Sequence, residues 1–201
     1  TRPVRDLSPR AMNTLLVAGA EKDHLLPAIA DPVLRAALKA LAPRAARFGS
    51  VCSGGFLLAA AGLLNGHRVA SHWVSCGPLA SNFPQVTVDP DALYVVEGRL
   101  WTSAGVTTGI DMALAMVASD LDAAIAGEVA KRLILYARRP GHQSQFSPIL
   151  QAQAKGDSLY VELIAWINAN LSATLDVATL AARAGQSERS FHRKFSAATG
   201  Q

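Results

Sequence analysis

Apolar and polar positions alternate along the first two-thirds of the chain in short blocks of two kinds. MNTLLVA (12–18) is a compact apolar run closed by Gly19, the pattern of a strand covered on both faces of a parallel sheet. Over 31–41 the period changes: Val33, Leu34, Ala37, Leu38 and Leu41 fall on one helical face, with Pro32 just inside the start and Pro43 just beyond the end. A second short strand is expected over 47–52. Ser53-Gly54-Gly55 follows, then an apolar helix over 56–64 that Asn65-Gly66 would close. Weaker strands are expected at 67–71 and 86–89. A hairpin pairs 93–96 with 100–103 around Glu97-Gly98, and helices run over 110–117 and 121–136. Strand, helix, strand, helix is the order of a flavodoxin-like, doubly wound α/β layer.

After Arg138 the pattern breaks. Pro140-Gly141, Gln143-Ser144-Gln145 and Pro148 read as a linker to about Lys155. Beyond it the period is helical throughout, with Leu159, Leu163, Ile164, Trp166, Ile167 and Leu171 forming one stripe. The chain therefore divides into an α/β domain over 1–150 and an all-α segment over 157–201. In that segment 177–184 predicts a helix, Gly185 a tight turn, Ser187 an N-cap, and a second helix runs on to Thr199 with Gly200 as its C-cap. This is the order of a helix-turn-helix. Phe191, Phe195 and Ala198 share one face of the second helix; Arg189, His192, Arg193 and Ser196 share the other. An amphipathic helical hairpin with an ordinary polar face has the same spacing.

Charge sharpens this reading. From Arg132 onward eight basic residues stand against four acids, which favours a polyanionic partner or, equally, a solvated basic face. Two cysteines cannot form a disulfide framework, so a reducing cytoplasm is the expected compartment. The longest apolar run, 56–64, is too short to span a bilayer. No cluster of His, Cys and acids suggests a metal site, and no cofactor is expected.

One cysteine has a chemical setting. FGSVCSGG (48–55) places Cys52 between a strand and a helix, the logic of a nucleophile elbow, with Ser50 where hydrolases carry glycine. Helix-terminal amides at such a turn favour a thiolate. His72, about twenty residues on, is positioned to accept its proton. Cys52 as a core residue and His72 as a hydrogen-bonded bystander fit the same text. Asp111 opens a helix and reads as a first-turn acid; Glu21 and Asp23 follow the first strand and could line a pocket.

Two stretches carry family resemblances. VCSGGFLLAAAGLLNGHRVASHW, FPQVTVDPDALYVVEGRLWTSAGVTTGIDMAL and RRPGHQSQFS resemble the ThiJ/PfpI superfamily, related to class I glutamine amidotransferases, and within it the GlxA-like regulators; isonitrile hydratases share much of this text. The resemblance implies an elbow at Cys52 with His72 as its neighbour. It also implies that a first strand carrying the catalytic carboxylate precedes Thr1. The phrase Val17-Ala18-Gly19-Ala20 departs from the family's paired glycines. Residues 159–200 resemble the first half of an AraC/XylS-type DNA-binding domain, through Trp166-Ile167, Leu180-Ala181, Ala184, Ser187, Phe191, Arg193, Phe195 and Thr199-Gly200. In that resemblance Arg189, His192 and Arg193 face bases, and a second helix-turn-helix unit is missing. A homodimeric transcription factor is expected, binding double-stranded operator DNA, with a non-catalytic α/β domain that senses a small-molecule effector or forms the dimer. The alternative is a cysteine-dependent isonitrile hydratase, amidase or peptidase-like enzyme.

Overall fold

The computed structural model describes residues 12–135, 138–142, 145 and 158–199. The chain divides into two compact units, Thr1–Gln145 and Phe146–Gln201. The expected loop over 1–10, the helix end at Tyr136, most of the expected linker and the Gly200 cap lie outside the described residues.

In the first unit β1 (Met12–Val17), β2 (Ala45–Val51), β5 (Tyr94–Glu97) and β6 (Leu100–Ser103) form a sheet in the order β1-β2-β6-β5. β1 and β6 run parallel to β2, and β5 closes the sheet antiparallel to β6. Short strands β3 (Arg68–Ala70) and β4 (Thr87–Asp89) pair parallel in a second sheet. The Ala70 N–H donates to Thr102 Oγ1 at 2.9 Å, tying β3 to β6.

Alternation along the strands separates two apolar layers. One face carries Leu15, Val17, Phe48 and Leu100 against α1 (Lys22–Ala30), α2 (Pro32–Leu41) and α3 (Gly55–Ala60). The other carries Val51 and Trp101 against Met112 and Met116 of α5 (Val106–Asp120), which packs on α6 (Ala123–Arg132). Leu58, Leu64 and Leu79 are fully buried in the first layer, each worth roughly 1.5–3 kcal/mol in transfer free energy. This is the flavodoxin-like α/β architecture expected from the alternation of elements.

Several boundaries differ from expectation, each for a local reason. α3 stops at Ala60, not at Leu64: Gly62 takes φ +73°, its N–H donates to the Ala59 carbonyl, and Leu63 N–H donates to Leu58. That is a Schellman stop, and only glycine enters the left-handed region without penalty. α5 starts at Val106, not Ile110, because Thr108 Oγ1 accepts from the Gly105 N–H at 2.6 Å and so caps the helix. α6 is shorter than the expected 121–136. It begins after Asp122, whose carboxylate accepts from Ile125 N–H, and ends with Ile134 at φ +56°. Helix α1, and α4 (Trp73–Asn82) after β3, were not expected; each carries an internal proline, Pro27 and Pro78.

The second unit holds α7 (Ser158–Ala169), α8 (Val177–Arg183) and α9 (Glu188–Thr199). Tyr160, Leu163, Ile164, Ala181, Ala184, Phe191 and Ala198 make its core. The expected stripe is corrected at its ends: Leu159 and Leu171 are exposed, while Tyr160 is the most buried side chain of α7. No helix among the described residues is long and apolar enough to cross a membrane.

Candidate functional site

The α/β unit concentrates its unusual geometry where β2 meets α3. Val51 is extended, and Cys52 then turns to φ +56°, opening a 3-10 turn (Cys52–Gly54) that runs into α3. A non-glycine residue there costs about 1–2 kcal/mol, so its surroundings must hold it. They do so through the loop after β1. Ser53 Oγ accepts from the Ala20 N–H and donates to the Ala20 carbonyl, both at 3.0 Å. A Cβ on Gly54 would lie 2.2 Å from the Val17 carbonyl oxygen, so only glycine permits this approach.

His72 caps the start of α4. Its Nδ1 accepts from the Val74 N–H at 3.4 Å, its ring lies 5.5 Å from that of Trp73, and a Cβ on Gly105 would be 3.7 Å from its Cδ2. The preceding Ser71 is fully buried and donates from Oγ to the Cys52 carbonyl at 3.3 Å. The elbow and the His72 turn are therefore joined through Ser71; no hydrogen bond links Cys52 Sγ to His72 among the described residues. With Nδ1 used as an acceptor, the neutral ring carries its proton on Nε2 and offers a donor there. Cys76 supports the same turn, donating from Sγ to the Ser71 and His72 carbonyls at 3.4 Å; burial pushes its thiol up, keeping it in the unreactive form.

The acids considered from sequence are elsewhere. Glu21 and Asp23 are exposed at the start of α1. Asp111 is not a first-turn acid: it lies in the second turn of α5, buried, and binds Arg139. The Arg139 N–H donates to Oδ1 at 3.1 Å and Nε to Oδ2 at 2.9 Å, with Nη2 2.6 Å from Oδ2. The stretch read as the start of a linker is thus anchored to the α/β unit. Its Gly141 carbonyl accepts from Leu93 and Tyr94 N–H, and Gln145 Nε2 donates to the Ser71, Pro90 and Ala92 carbonyls at 3.0–3.1 Å. Ser53, Ser71 and Gln145 were missed from sequence, since nothing in local composition distinguishes them. His67, with no role assigned from sequence, pairs with Glu97 at 2.6 Å, a contact that holds the Glu97 carboxyl below its ordinary range. No group of three potential metal-ligating side chains is present among the described residues.

In the helical unit the local sequence builds two capped helices around a turn. Asp176 accepts from Thr179 N–H at 2.8 Å to start α8. Gly185 ends α8 at φ +64°, with Gly185 N–H on Ala182 and Gln186 N–H on Ala181. Ser187 Oγ then accepts from Ser190 N–H at 3.4 Å. On α9, Phe191 is buried and Phe195 half-buried, their rings stacked at 5.1 Å with Tyr160 edge-on to both. Arg189, His192, Arg193, Lys194 and Ser196 are exposed on the outer side, and Ser187, Arg189, Ser190 and Arg193 line a shallow concavity. Arg183 is engaged otherwise, its guanidinium 4.0 Å above the Trp166 ring.

The sequence pattern of the DJ-1/PfpI family matches residues 1–119. The chain is similar to the HTH-type transcriptional regulator ArgR of Pseudomonas aeruginosa, 29% identical over 169 residues, covering 84% of this chain and 51% of the regulator. A match of that length cannot fit within Thr1–Gln145, so it extends into the helical unit. Isonitrile hydratase of Pseudomonas putida is 34% identical over 108 residues, 53% of this chain and 45% of the enzyme. Among solved structures, a ThiJ/PfpI family protein from Pseudomonas syringae superposes with a TM-score of 0.60 at 31% identity, over 78% of this chain and 62% of that one. The chain spans about half the length of the curated relatives it matches. With its pattern matched from residue 1 through the elbow to residue 119, the chain belongs to the DJ-1/PfpI family.

Proposed function

We propose that this chain is part of a homodimeric, cytoplasmic DNA-binding transcription regulator, in which the α/β unit receives a small effector and the helical unit reads duplex DNA. The observation that carries the reading is the division of α9: Phe191 and Phe195 pack inward while Arg189, His192 and Arg193 stand exposed together. The similarity to ArgR, which reaches into this unit, supports it. Arg193 and Arg189, one turn apart, suit bidentate contacts to guanine edges, and Lys194 suits a phosphate. The elbow serves recognition without turnover in this reading. His72 offers Nε2–H as a donor, and no carboxylate among the described residues hydrogen-bonds to it.

Selection from a random duplex library with the intact protein, followed by anisotropy titrations, tests this. Arg193→Ala should weaken binding to the selected site by roughly 1–3 kcal/mol and relax its sequence preference. Equal binding by both proteins refutes the role of Arg193, and a library with no enriched sequence refutes the regulator reading.

A cysteine-dependent enzyme is the second reading, favoured by the left-handed backbone at Cys52 and the isonitrile hydratase match. Turnover of an isonitrile or amide that disappears in Cys52→Ala would replace effector recognition with catalysis in the α/β unit.

A further inference from the structure

The last described residues of the α/β unit are fastened at three points, and the third reaches the elbow. Asp111 holds the Arg139 side chain and N–H, the Gly141 carbonyl takes Leu93 and Tyr94 N–H, and Gln145 Nε2 is shared among three carbonyls. One of those carbonyls belongs to Ser71, whose hydroxyl holds the Cys52 carbonyl. Cys76 Sγ bonds to the same Ser71 carbonyl. Ser71 is therefore pinned from both sides: toward the elbow by its hydroxyl, toward the strap by its carbonyl.

We propose that the stretch anchored through Arg139, Gly141 and Gln145 acts as a releasable strap whose final clasp, Gln145 on Ser71, is coupled to occupancy of the Cys52 elbow. This deepens the effector-sensing reading given above and rests on it. Gln145 is the residue at which the α/β unit ends and the chain passes to the helical unit. The clasp is suited to switching. It is one neutral amide on carbonyls, weaker than the charge-assisted, part-buried contact of Arg139 with Asp111, so this end of the strap opens first. A group bound at Cys52 that moves its carbonyl displaces Ser71 and with it an acceptor of Gln145. By linkage, releasing Gln145 must alter the elbow in return.

Iodoacetamide on the intact protein is the probe, the Cys52 sulfur displacing iodide to form a thioether. Hydrogen exchange at the Leu93 and Tyr94 amides reports the strap, because both donate to Gly141. Gln145→Ala should speed exchange at those amides and change the Cys52 alkylation rate at least threefold. Alkylated wild type should show the same faster exchange. In a Ser71→Ala background, which keeps the Ser71 carbonyl but removes the link to Cys52, Gln145→Ala should no longer alter alkylation. Faster exchange with an unchanged Cys52 rate overturns the proposal, as does an equal effect of Gln145→Ala in both backgrounds. DNA binding does not enter these readouts, so failure of the regulator reading is told apart by the duplex selection alone.

Discussion

Replacing Phe191 with alanine separates packing from recognition in the helical unit. Phe191 is 4% exposed, stacks on Phe195 at 5.1 Å and meets Tyr160 edge-on at 6.3 Å. Truncating such a ring costs about 3–5 kcal/mol through lost transfer free energy and the cavity left behind. The unit spans 56 residues, Phe146–Gln201, so its whole stability is about 3–8 kcal/mol at ordinary stability per residue. The loss is comparable to the total, and the unit should unfold near room temperature while the α/β unit, with its own core, stays folded. Arg193 is exposed, so Arg193→Ala should change stability by no more than about 0.5 kcal/mol. Hydrogen exchange on peptides from 158–199 reads the two variants directly: protection should vanish in Phe191→Ala and persist in Arg193→Ala. Full protection in Phe191→Ala would mean that this ring is not the keystone of the core, and the inside–outside division of α9 would fall with it.

Ile134 is a β-branched residue in the left-handed position that ends α6, and it is almost fully exposed. Ile134→Gly should therefore stabilise the α/β unit by about 1 kcal/mol, raising Tm by about 2–4 °C in a thermal melt. Gly54→Ala should do the opposite. Its Cβ would press on the Val17 carbonyl, costing roughly 1–3 kcal/mol, and shifting the loop after β1 should speed Cys52 alkylation. Hydrogen bonds from Thr179, hydroxyl first and backbone N–H second, hold the Asp176 carboxyl below the ordinary aspartate range. A depressed folded-state pKa contributes stability that is complete above the unfolded value and lost as pH falls through the folded one. Acid titration by circular dichroism should thus show the helical unit loosening at low pH, with a smaller pH dependence in Asp176→Asn.

What could be read from sequence followed the range of the forces involved. The parallel strands, the hairpin at Gly98 and the capped helices around Gly185 were legible because their signals are local: apolar runs, turn residues and cap residues at fixed spacing. Helices α1 and α4 were not, since Pro27 and Pro78 break the helical pattern while tertiary contacts through Leu25 and Leu79 keep the segments helical. The apolar text of 56–64 hid the stop at Gly62, because Leu63 and Leu64 remain in the core after the helix has ended. The strap was read as a linker for the same reason in reverse. Its composition is polar and turn-rich, but Asp111, Leu93 and Ser71, which hold it, lie far away in sequence. Cys52 was legible as an elbow from its two following glycines, whereas Ser71, the residue that joins it to its surroundings, carries no signal beyond being a serine.

The left-handed backbone at Cys52 is what a purely structural account of the elbow has most difficulty absorbing. Glycine would remove a penalty of about 1–2 kcal/mol there, and two glycines, Gly54 and Gly55, stand just beyond Ser53. Instead the turn is held by the Ser53–Ala20 hydrogen-bond pair, by the approach of Val17 to Gly54 and by the Ser71 hydroxyl. Backbone strain survives where its surroundings over-determine it, and such surroundings gather at sites where a side chain must be presented. In this fold the presented side chain is a partly exposed thiol, one hydrogen-bonded residue from the strap that closes the α/β unit. A strained thiol used only for turnover needs no fastening to the end of its domain. The proposed effector-sensing reading gives the Ser71 link between elbow and strap a use, which a reading of turnover alone does not.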